Sequence, residues 1–184
     1  MSEDYLIDHA APTLAGLKTG NLFPCAYDSY GELLREIRSY NRVLTKKGMR
    51  LLMLRKTGTQ ALLYLYRPGR LRADLARSDA AALLRGAGYT DLREDRCIAL
   101  LAQKLRAFGD FPHEIGLFLS YPPEDVRGFI EHRGHGSKLD GCWKVYGDVP
   151  AALRLFRAYR ICTDSYRARR AMGESIARLA VAEP

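Results

Sequence analysis

Residues 112–148 have the sequence PHEIGLFLSYPPEDVRGFIEHRGHGSKLDGCWKVYGD. The apolar run at residues 116–121 predicts a strand, which the following pair of prolines would end. The acids and apolar residues after the prolines predict a helix, and residues 143–146 predict a second strand with Trp143 and Val145 on one face. A strand, a helix and a strand in this order predict a right-handed parallel crossover. The histidines, glycines and Cys-Trp pair of this stretch also favour a binding site built from its loops.

The residues on either side predict further helices and a hairpin. Ser29 and Glu32 form a capping box at the start of a helix over residues 29–48. Apolar runs at residues 51–54 and 61–66 flank a Lys-Thr-Gly-Thr turn and predict a hairpin whose strands are covered on both faces. Other helices are predicted over residues 74–85, residues 91–108 and the region after Asp148.

These elements predict the fold class α+β. We expect residues 1–184 to form a single domain with one mixed sheet of about four strands, made of one hairpin and one βαβ crossover. About five helices should pack with this sheet. The 184 residues are 47% apolar and 27% charged, which is typical of a globular protein.

The sequence favours a cytoplasmic protein without a membrane partner. Its longest apolar runs are too short to cross a bilayer. Glu3, Asp4 and Asp8 stand near the N-terminus, where a secretory signal would carry lysines.

The cysteines and histidines do not predict a metal centre. Cysteines at positions 25, 97, 142 and 162 lie far apart without a Cys-x-x-Cys pair, which argues against a zinc ribbon or a redox dithiol. Residues 113–114, His-Glu, resemble the start of a zinc-protease motif, but Leu117 stands where the second histidine is needed. His132, His135 and Cys142 offer three ligands, yet their loop is rich in glycine and cations, so a surface loop is the favoured interpretation.

Residues 9–23, HAAPTLAGLKTGNLF, form a second polar and glycine-rich block. Within it, residues 16–21 resemble a phosphate-binding loop in composition, with glycine amides, a lysine and a threonine. They lack the residue order of a P-loop, and no predicted strand precedes them. A helix end followed by a turn is the alternative. The polar side chains of this block are candidate ligand-binding residues.

The formal net charge is +8, and arginines are frequent in the last helical region. A basic helix face can bind phosphates through charge alone. A solvated face opposite an apolar stripe is favoured instead, because the chain lacks RNP aromatics, a KH loop and zinc-finger spacing. Nucleic-acid binding is therefore predicted to be weak and non-specific at most. The arginines concerned are Arg154, Arg157, Arg160, Arg167, Arg169, Arg170 and Arg178.

Three blocks carry a resemblance to a known family. They are residues 9–23, residues 111–132 (FPHEIGLFLSYPPEDVRGFIEH) and residues 141–148 (GCWKVYGD). Their order and spacing are similar to those of the bacterial domain of unknown function family 3793, over nearly the whole chain. The resemblance implies a bacterial cytosolic protein, with an anaerobe the favoured source, and it supplies no reaction. The matching positions are His9, Pro12, Thr13, Lys18, Asn21, Phe111, His113, Glu114, Gly116, Trp143, Lys144 and Tyr146.

Two classes of function remain open. The first is a protein, enzyme or not, that binds a small molecule, an anion or an undetermined cofactor in a polar pocket formed by residues 9–25 and 111–114. The second is an adaptor or nucleic-acid-binding module that uses the arginine-rich C-terminal helix. A pocket lined by the block residues would favour the first class, and a flat basic face the second.

The candidate ligand-binding residues belong to the first class. We expect His9 and His113 to lie near one another, with the alternative that each histidine braces its own turn. The full set is His9, Thr13, Lys18, Asn21, His113, Glu114, Lys144 and Tyr146.

Overall fold

The computed structural model describes residues 1–107 and 111–183. Contacts group the chain into two compact units, which we call the first unit (Met1–Gly69 with Ile161–Pro184) and the second unit (Arg70–Arg160). Both units contain helices and strands, so the α+β class is confirmed in this broad sense. The expectation of a single domain stays a prediction.

The first unit is built around a three-stranded antiparallel sheet with the strand order β1-β3-β2. Its helices supply much of the apolar core that covers the sheet. The elements are α1 (Glu3–Leu14), β1 (Gly20–Ala26), α2 (Tyr30–Leu44), a 3₁₀ turn (Thr45–Lys47), β2 (Arg50–Thr57), β3 (Gln60–Tyr66) and α9 (Ile176–Leu179).

Two predicted features of the first unit are confirmed. The Ser29 side chain caps α2 by accepting a hydrogen bond of 3.4 Å from the Glu32 amide, and Gly48 closes the following turn with a φ of 74°. The hairpin pairs β2 with β3, and residues 61–66 are all buried. A central strand that is covered on both faces explains its unbroken apolar sequence.

The sequence patterns did not predict β1, and they indicated α1 only as the helix end that was the alternative to a phosphate-binding loop. The β1 strand lies at the edge of the sheet, where Pro24 is tolerated because an edge strand leaves some of its N–H groups unpaired. Its partner in the sheet is β3, from Gly20 opposite Tyr66 to Ala26 opposite Gln60. This pairing joins residues that are about forty positions apart, so local patterns do not reveal it.

The second unit is mostly helical, with a short β-hairpin. Strands β4 and β5 are antiparallel, and Val145 packs with Trp143 and with the start of α8. The unit contains most of α3 (Pro68–Ala76), then α4 (Ser78–Gly86), α5 (Glu94–Ala107), α6 (Ile115–Phe118), α7 (Pro123–Glu131), β4 (Leu139–Asp140), β5 (Lys144–Val145) and the first half of α8 (Val149–Ala171).

The predicted crossover over residues 116–146 is wrong. Residues 115–118 form the helical turn α6, and β5 pairs with β4 instead of with a parallel strand. A short apolar run fits a buried helical turn as well as a strand, because periodicity alone does not separate the two. The predicted sheet of about four strands is therefore replaced by sheets of three and two strands among the described residues. The alternation within β5 agrees with the prediction, since Trp143 and Val145 are buried while Lys144 and Tyr146 are partly exposed.

The remaining predicted helices are present, with changed boundaries. The predicted helix over residues 74–85 is divided into α3 and α4, and α5 starts at Glu94. The predicted end of α5 at Phe108 lies outside the described residues. The Asp148 side chain accepts a hydrogen bond of 2.9 Å from the Ala151 amide, which confirms it as the cap of α8. With α6 and α9, the described residues form nine helices rather than about five.

No helix within residues 1–107 or 111–183 combines the length and the apolar character needed to cross a membrane.

Candidate functional site

Two of the three sequence blocks line one cavity in the second unit, with a volume of about 280 Å³. The turn before α6 forms one wall, α7 forms another, and the residues around β5 form a third. Most of the lining is aromatic or aliphatic, whereas the sequence predicted a polar pocket. The lining residues are Phe111, Pro112, His113, Ile115, Gly116, Tyr121, Asp125, Val126, Phe129, Trp143 and Lys144.

Aromatic rings give the cavity flat surfaces. The Tyr121 and Trp143 rings are stacked with their centroids 4.9 Å apart, and the Phe156 ring supports Trp143 edge-on at 4.5 Å. The His113 ring meets the Phe129 ring edge-on at 5.1 Å. Such pairs add to the energy of burial and restrict ring motion, so the walls are preformed.

Asp125 fixes the position of Trp143. It is only 3% exposed, and its Oδ2 accepts a hydrogen bond of 2.7 Å from the Trp143 indole nitrogen. Its Oδ1 accepts two more, each of 2.7 Å, from the amides of Tyr146 and Gly147. The carboxylate thus ties α7 to β5 and to the indole at the same time. The sequence indicated only an acid in the first turn of a helix.

Glu114 does not line the cavity. Its side chain, 7% exposed, forms an ion pair of 2.5 Å with the Lys104 ammonium. Lys104 also donates to the Ala87 carbonyl at 2.6 Å and lies 4.7 Å from the centre of the Tyr89 ring. Burial and the nearby Glu114 charge raise the pKa of Tyr89 well above its usual value. This buried cluster holds the turn that precedes α6 against α5.

The rim of the cavity carries the two basic candidates, His113 and Lys144. The Lys144 side chain is 40% exposed, and its ammonium lies 3.4 Å from the Asp140 carboxylate. An exposed pair of this length contributes little energy, so the ammonium can exchange partners at small cost. Both residues were predicted from the sequence as ligand-binding residues, and the structure brings them to one cavity.

Tyr146 lies outside this cavity. Its ring stacks on the His132 ring with the centroids 5.6 Å apart. It also packs so closely on α7 that a Cβ atom at Gly128 would lie 2.4 Å from the Tyr146 Cγ atom. Tyr146 and Gly128 therefore fix the contact between α7 and the end of β5.

The N-terminal candidates belong to the first unit. The His9 ring is stacked on the Phe23 ring, with the centroids 5.4 Å apart. The Thr13 hydroxyl donates a hydrogen bond of 2.7 Å to the Asn21 side-chain oxygen, and Lys18 is buried. The turn after α1 has Gly16 at a φ of 76° and leads into β1, so a helix end followed by a turn describes it better than a phosphate cradle.

Arg67 binds the end of α1 in the polar block of residues 9–23, a contact that the sequence patterns did not indicate. Its guanidinium is 1% exposed and donates to the carbonyls of Thr13 at 2.8 Å and Leu14 at 2.9 Å. It also donates to the Val181 carbonyl at 2.8 Å. The last carbonyls of a helix lack partners within the helix, and here a buried cation supplies them. The shared site of His9 and His113 stays a prediction, because the two residues belong to different units.

The arginines near the C-terminus divide into two groups. Arg167 pairs with Asp8 at 2.6 Å, and Arg169 pairs with Glu174 at 2.7 Å. Arg170 pairs with Asp4 at 3.1 Å. The second group is exposed and makes no ion pair within the described part of the chain: Arg154, Arg157, Arg160 and Arg178.

The cysteines and metal-binding residue types are dispersed. Within the described residues, no group of three or more His, Cys, Asp or Glu side chains is placed to hold a metal ion. Burial raises the pKa of the Cys97 thiol to about 11, and it also raises the pKa values of Cys25 and Cys162. A raised pKa lowers the thiolate fraction, so these three cysteines behave as core residues.

A family model described as "Protein of unknown function (DUF3793)" matches residues 6–180. The chain belongs to this family. The resemblance found in the three sequence blocks is therefore confirmed, and two of these DUF3793 blocks supply walls of the cavity in the second unit. Neither the curated proteins nor the solved structures gave a match.

Proposed function

We propose that this DUF3793 protein binds a small, flat and largely apolar molecule in the cavity of the second unit. The observation that carries the proposal is the cavity itself, whose walls are the Trp143, Tyr121 and Phe129 rings. Its volume of about 280 Å³ lies just below the usual range of small-molecule sites, about 300–1,000 Å³, and suits a small ligand.

Because thiols stay reduced in the cytoplasm, a chain with four free cysteines is suited to function there.

The walls of the cavity are apolar but still accessible to water, unlike the side chains of a packed core. A ligand ring placed against these walls buries apolar area that water now touches, at roughly 25 cal/mol per Å². The rings are already fixed by Asp125 and by their mutual packing, so binding costs little side-chain entropy. The cavity is thus preorganised to bind a rigid ligand.

Trp143 provides a direct test, because it is the sole tryptophan of the chain. Its indole N–H gives one signal in a ¹H–¹⁵N spectrum, and a molecule entering the cavity should move that signal. Benzyl alcohol is a suitable neutral probe. We expect a saturable shift in the wild-type protein and no saturation at unrelated backbone amides.

A matched pair of variants locates the binding. Ile115→Phe narrows the cavity and should weaken the response, since Ile115 is a partly exposed lining residue. Ile130→Phe adds the same ring at a partly exposed position of α7 that does not line the cavity, and it should respond as the wild type does. Equal weakening in both variants, or no saturable shift in any of them, would overturn the proposal.

A second candidate function rests on the exposed arginines of α8. Arg154, Arg157 and Arg160 have no acidic partner among the described residues, so they are available to a polyanion. We propose at most weak, non-specific binding to nucleic acid, because no exposed aromatic ring lies beside them on α8. Replacing all three with glutamine should abolish binding to a DNA duplex and its salt dependence. A clear sequence preference at physiological salt would make this the main function.

A further inference from the structure

Away from its rim, the side chains that the structure describes in the cavity wall are almost entirely apolar. The carboxylate of Asp125 is the buried polar side chain in its wall, and its two oxygens already accept three hydrogen bonds. A ligand hydroxyl or amine placed deep in the cavity would therefore lose water partners and meet mainly apolar side chains. An unsatisfied buried polar group weakens binding, so we expect the buried part of the ligand to be apolar.

The rim has a defined charge. Besides the Asp125 carboxyl and the Tyr121 phenol, the ionisable side chains that line the cavity are His113 and Lys144, and both are bases. Lys144 is one of the residues that line the cavity, and its side chain is 40% exposed. Its contact with Asp140 is 3.4 Å long and exposed, which makes it a weak competitor for an incoming anion.

A cationic ligand fits this site poorly, although aromatic walls can attract cations. The ammonium of Lys144 repels a positive group at the entrance. Inside, the Asp125 oxygens are aimed at Trp143, Tyr146 and Gly147, and a cation would have to break these hydrogen bonds. The charge of the rim and the hydrogen bonds of Asp125 thus both disfavour a cationic ligand.

We infer that the ligand is a planar aromatic anion, with its ring against Trp143 and its carboxylate or equivalent group paired with the Lys144 ammonium. This inference rests on the proposed function and adds the chemical class. Lys144 acts as the residue that selects charge, and the aromatic walls select planarity. The carboxylate remains at the rim, where it keeps part of its hydration.

Isothermal titration of the full chain tests the class with four probes. Benzoate is the planar anion, benzamide its neutral analogue, benzylamine a cation and hexanoate a flexible anion. Benzoate should bind most tightly, and hexanoate should bind more weakly because ordering its chain costs entropy. Lys144→Met should lower the affinity for benzoate about fivefold at low salt and leave benzamide unchanged. Lys144→Arg should retain benzoate binding, which separates charge from a loss of structure.

Lys46→Met serves as the matched control, since Lys46 is an exposed lysine of the first unit. Benzamide binding as tightly as benzoate, or preferred binding of benzylamine or hexanoate, would overturn the ligand class while the cavity remained a site. A benzoate affinity that does not change in Lys144→Met would also overturn it. Failure of benzyl alcohol to move the Trp143 signal is the separate result that overturns the site itself.

Discussion

Replacing Asp125 with asparagine tests whether this carboxylate holds Trp143 in place. One side-chain oxygen can still accept from the Tyr146 and Gly147 amides, but an NH₂ group now faces the indole N–H. Two donors then oppose each other at a position that is 3% exposed. A hydrogen bond to a charged group contributes about 1.5–3 kcal/mol, and a buried donor left unsatisfied costs about 1–3 kcal/mol. These effects overlap, so we expect the free energy of unfolding to fall by about 2–4 kcal/mol.

Urea unfolding followed by circular dichroism measures this loss. The indole N–H signal reports the hydrogen bond separately and should move when the acceptor is removed. The Trp143→Phe background completes a double-mutant cycle, because phenylalanine has no N–H to oppose the new amide. Asp125→Asn should cost about 1–2 kcal/mol less in that background.

Asp95→Asn is the matched control, an identical change at an exposed acid in the first turn of α5. It should change the free energy of unfolding by less than about 1 kcal/mol. If Asp125→Asn unfolds at the wild-type urea concentration with its indole signal unmoved, Asp125 does not hold Trp143 in place. An equal cost in both backgrounds would show that Asp125 acts through the backbone amides alone.

Three further predictions concern the surroundings of the cavity. Gly116→Ala should lower the free energy of unfolding by about 1–3 kcal/mol in urea titrations, because its Cβ atom would lie 2.8 Å from Val126 Cγ2 and 2.9 Å from Tyr121 Cδ2. Lys104→Met leaves the buried Glu114 carboxylate without its cation and should cost about 2–4 kcal/mol, whereas the double variant with Glu114→Gln should recover part of this loss. Burial raises the pKa of Tyr121 to about 12, from 10.0 when unfolded, so its contribution to stability is complete below about pH 10 and is lost as the pH rises towards 12. Tyr121→Phe should therefore lose less stability than the wild type between about pH 9 and pH 11, and an equal loss would contradict the assignment.

Local signals predicted the elements that local interactions decide. The Ser29 cap, the Gly48 turn and the Asp148 cap each satisfy backbone groups within a few residues, so the sequence around them contains the whole interaction. The hairpin of β2 and β3 is of the same kind, because its turn joins neighbouring strands.

Elements decided by distant contacts were not predictable in the same way. The apolar character of residues 116–121 fits a strand and a helical turn equally well. The helical turn is decided by contacts such as that of Gly116 with Val126. The β1 strand depends on pairing with β3, and its polar start and Pro24 hide the pattern of a strand. These are cases in which tertiary packing overrides the local preference.

The candidate site shows the same division. His113 and Lys144 were predicted as site residues because they are positions of the family blocks, and both line the cavity. Phe129 and Tyr121 have the appearance of ordinary core residues in the sequence, and only the fold shows that their rings face a cavity.

Asp125 is a residue that supports the site without being recognisable from sequence patterns. An acid in the first turn of a helix is expected to interact with the helix dipole, and that expectation fully accounts for its presence. Its hydrogen bonds instead go to Trp143, Tyr146 and Gly147, which follow it by eighteen to twenty-two positions. The PPED and WKVYG segments are thus two halves of one structure, since the carboxylate in the first orients the indole in the second. A change in either half should disturb ligand binding through the same ring, even where the changed residue does not touch the ligand.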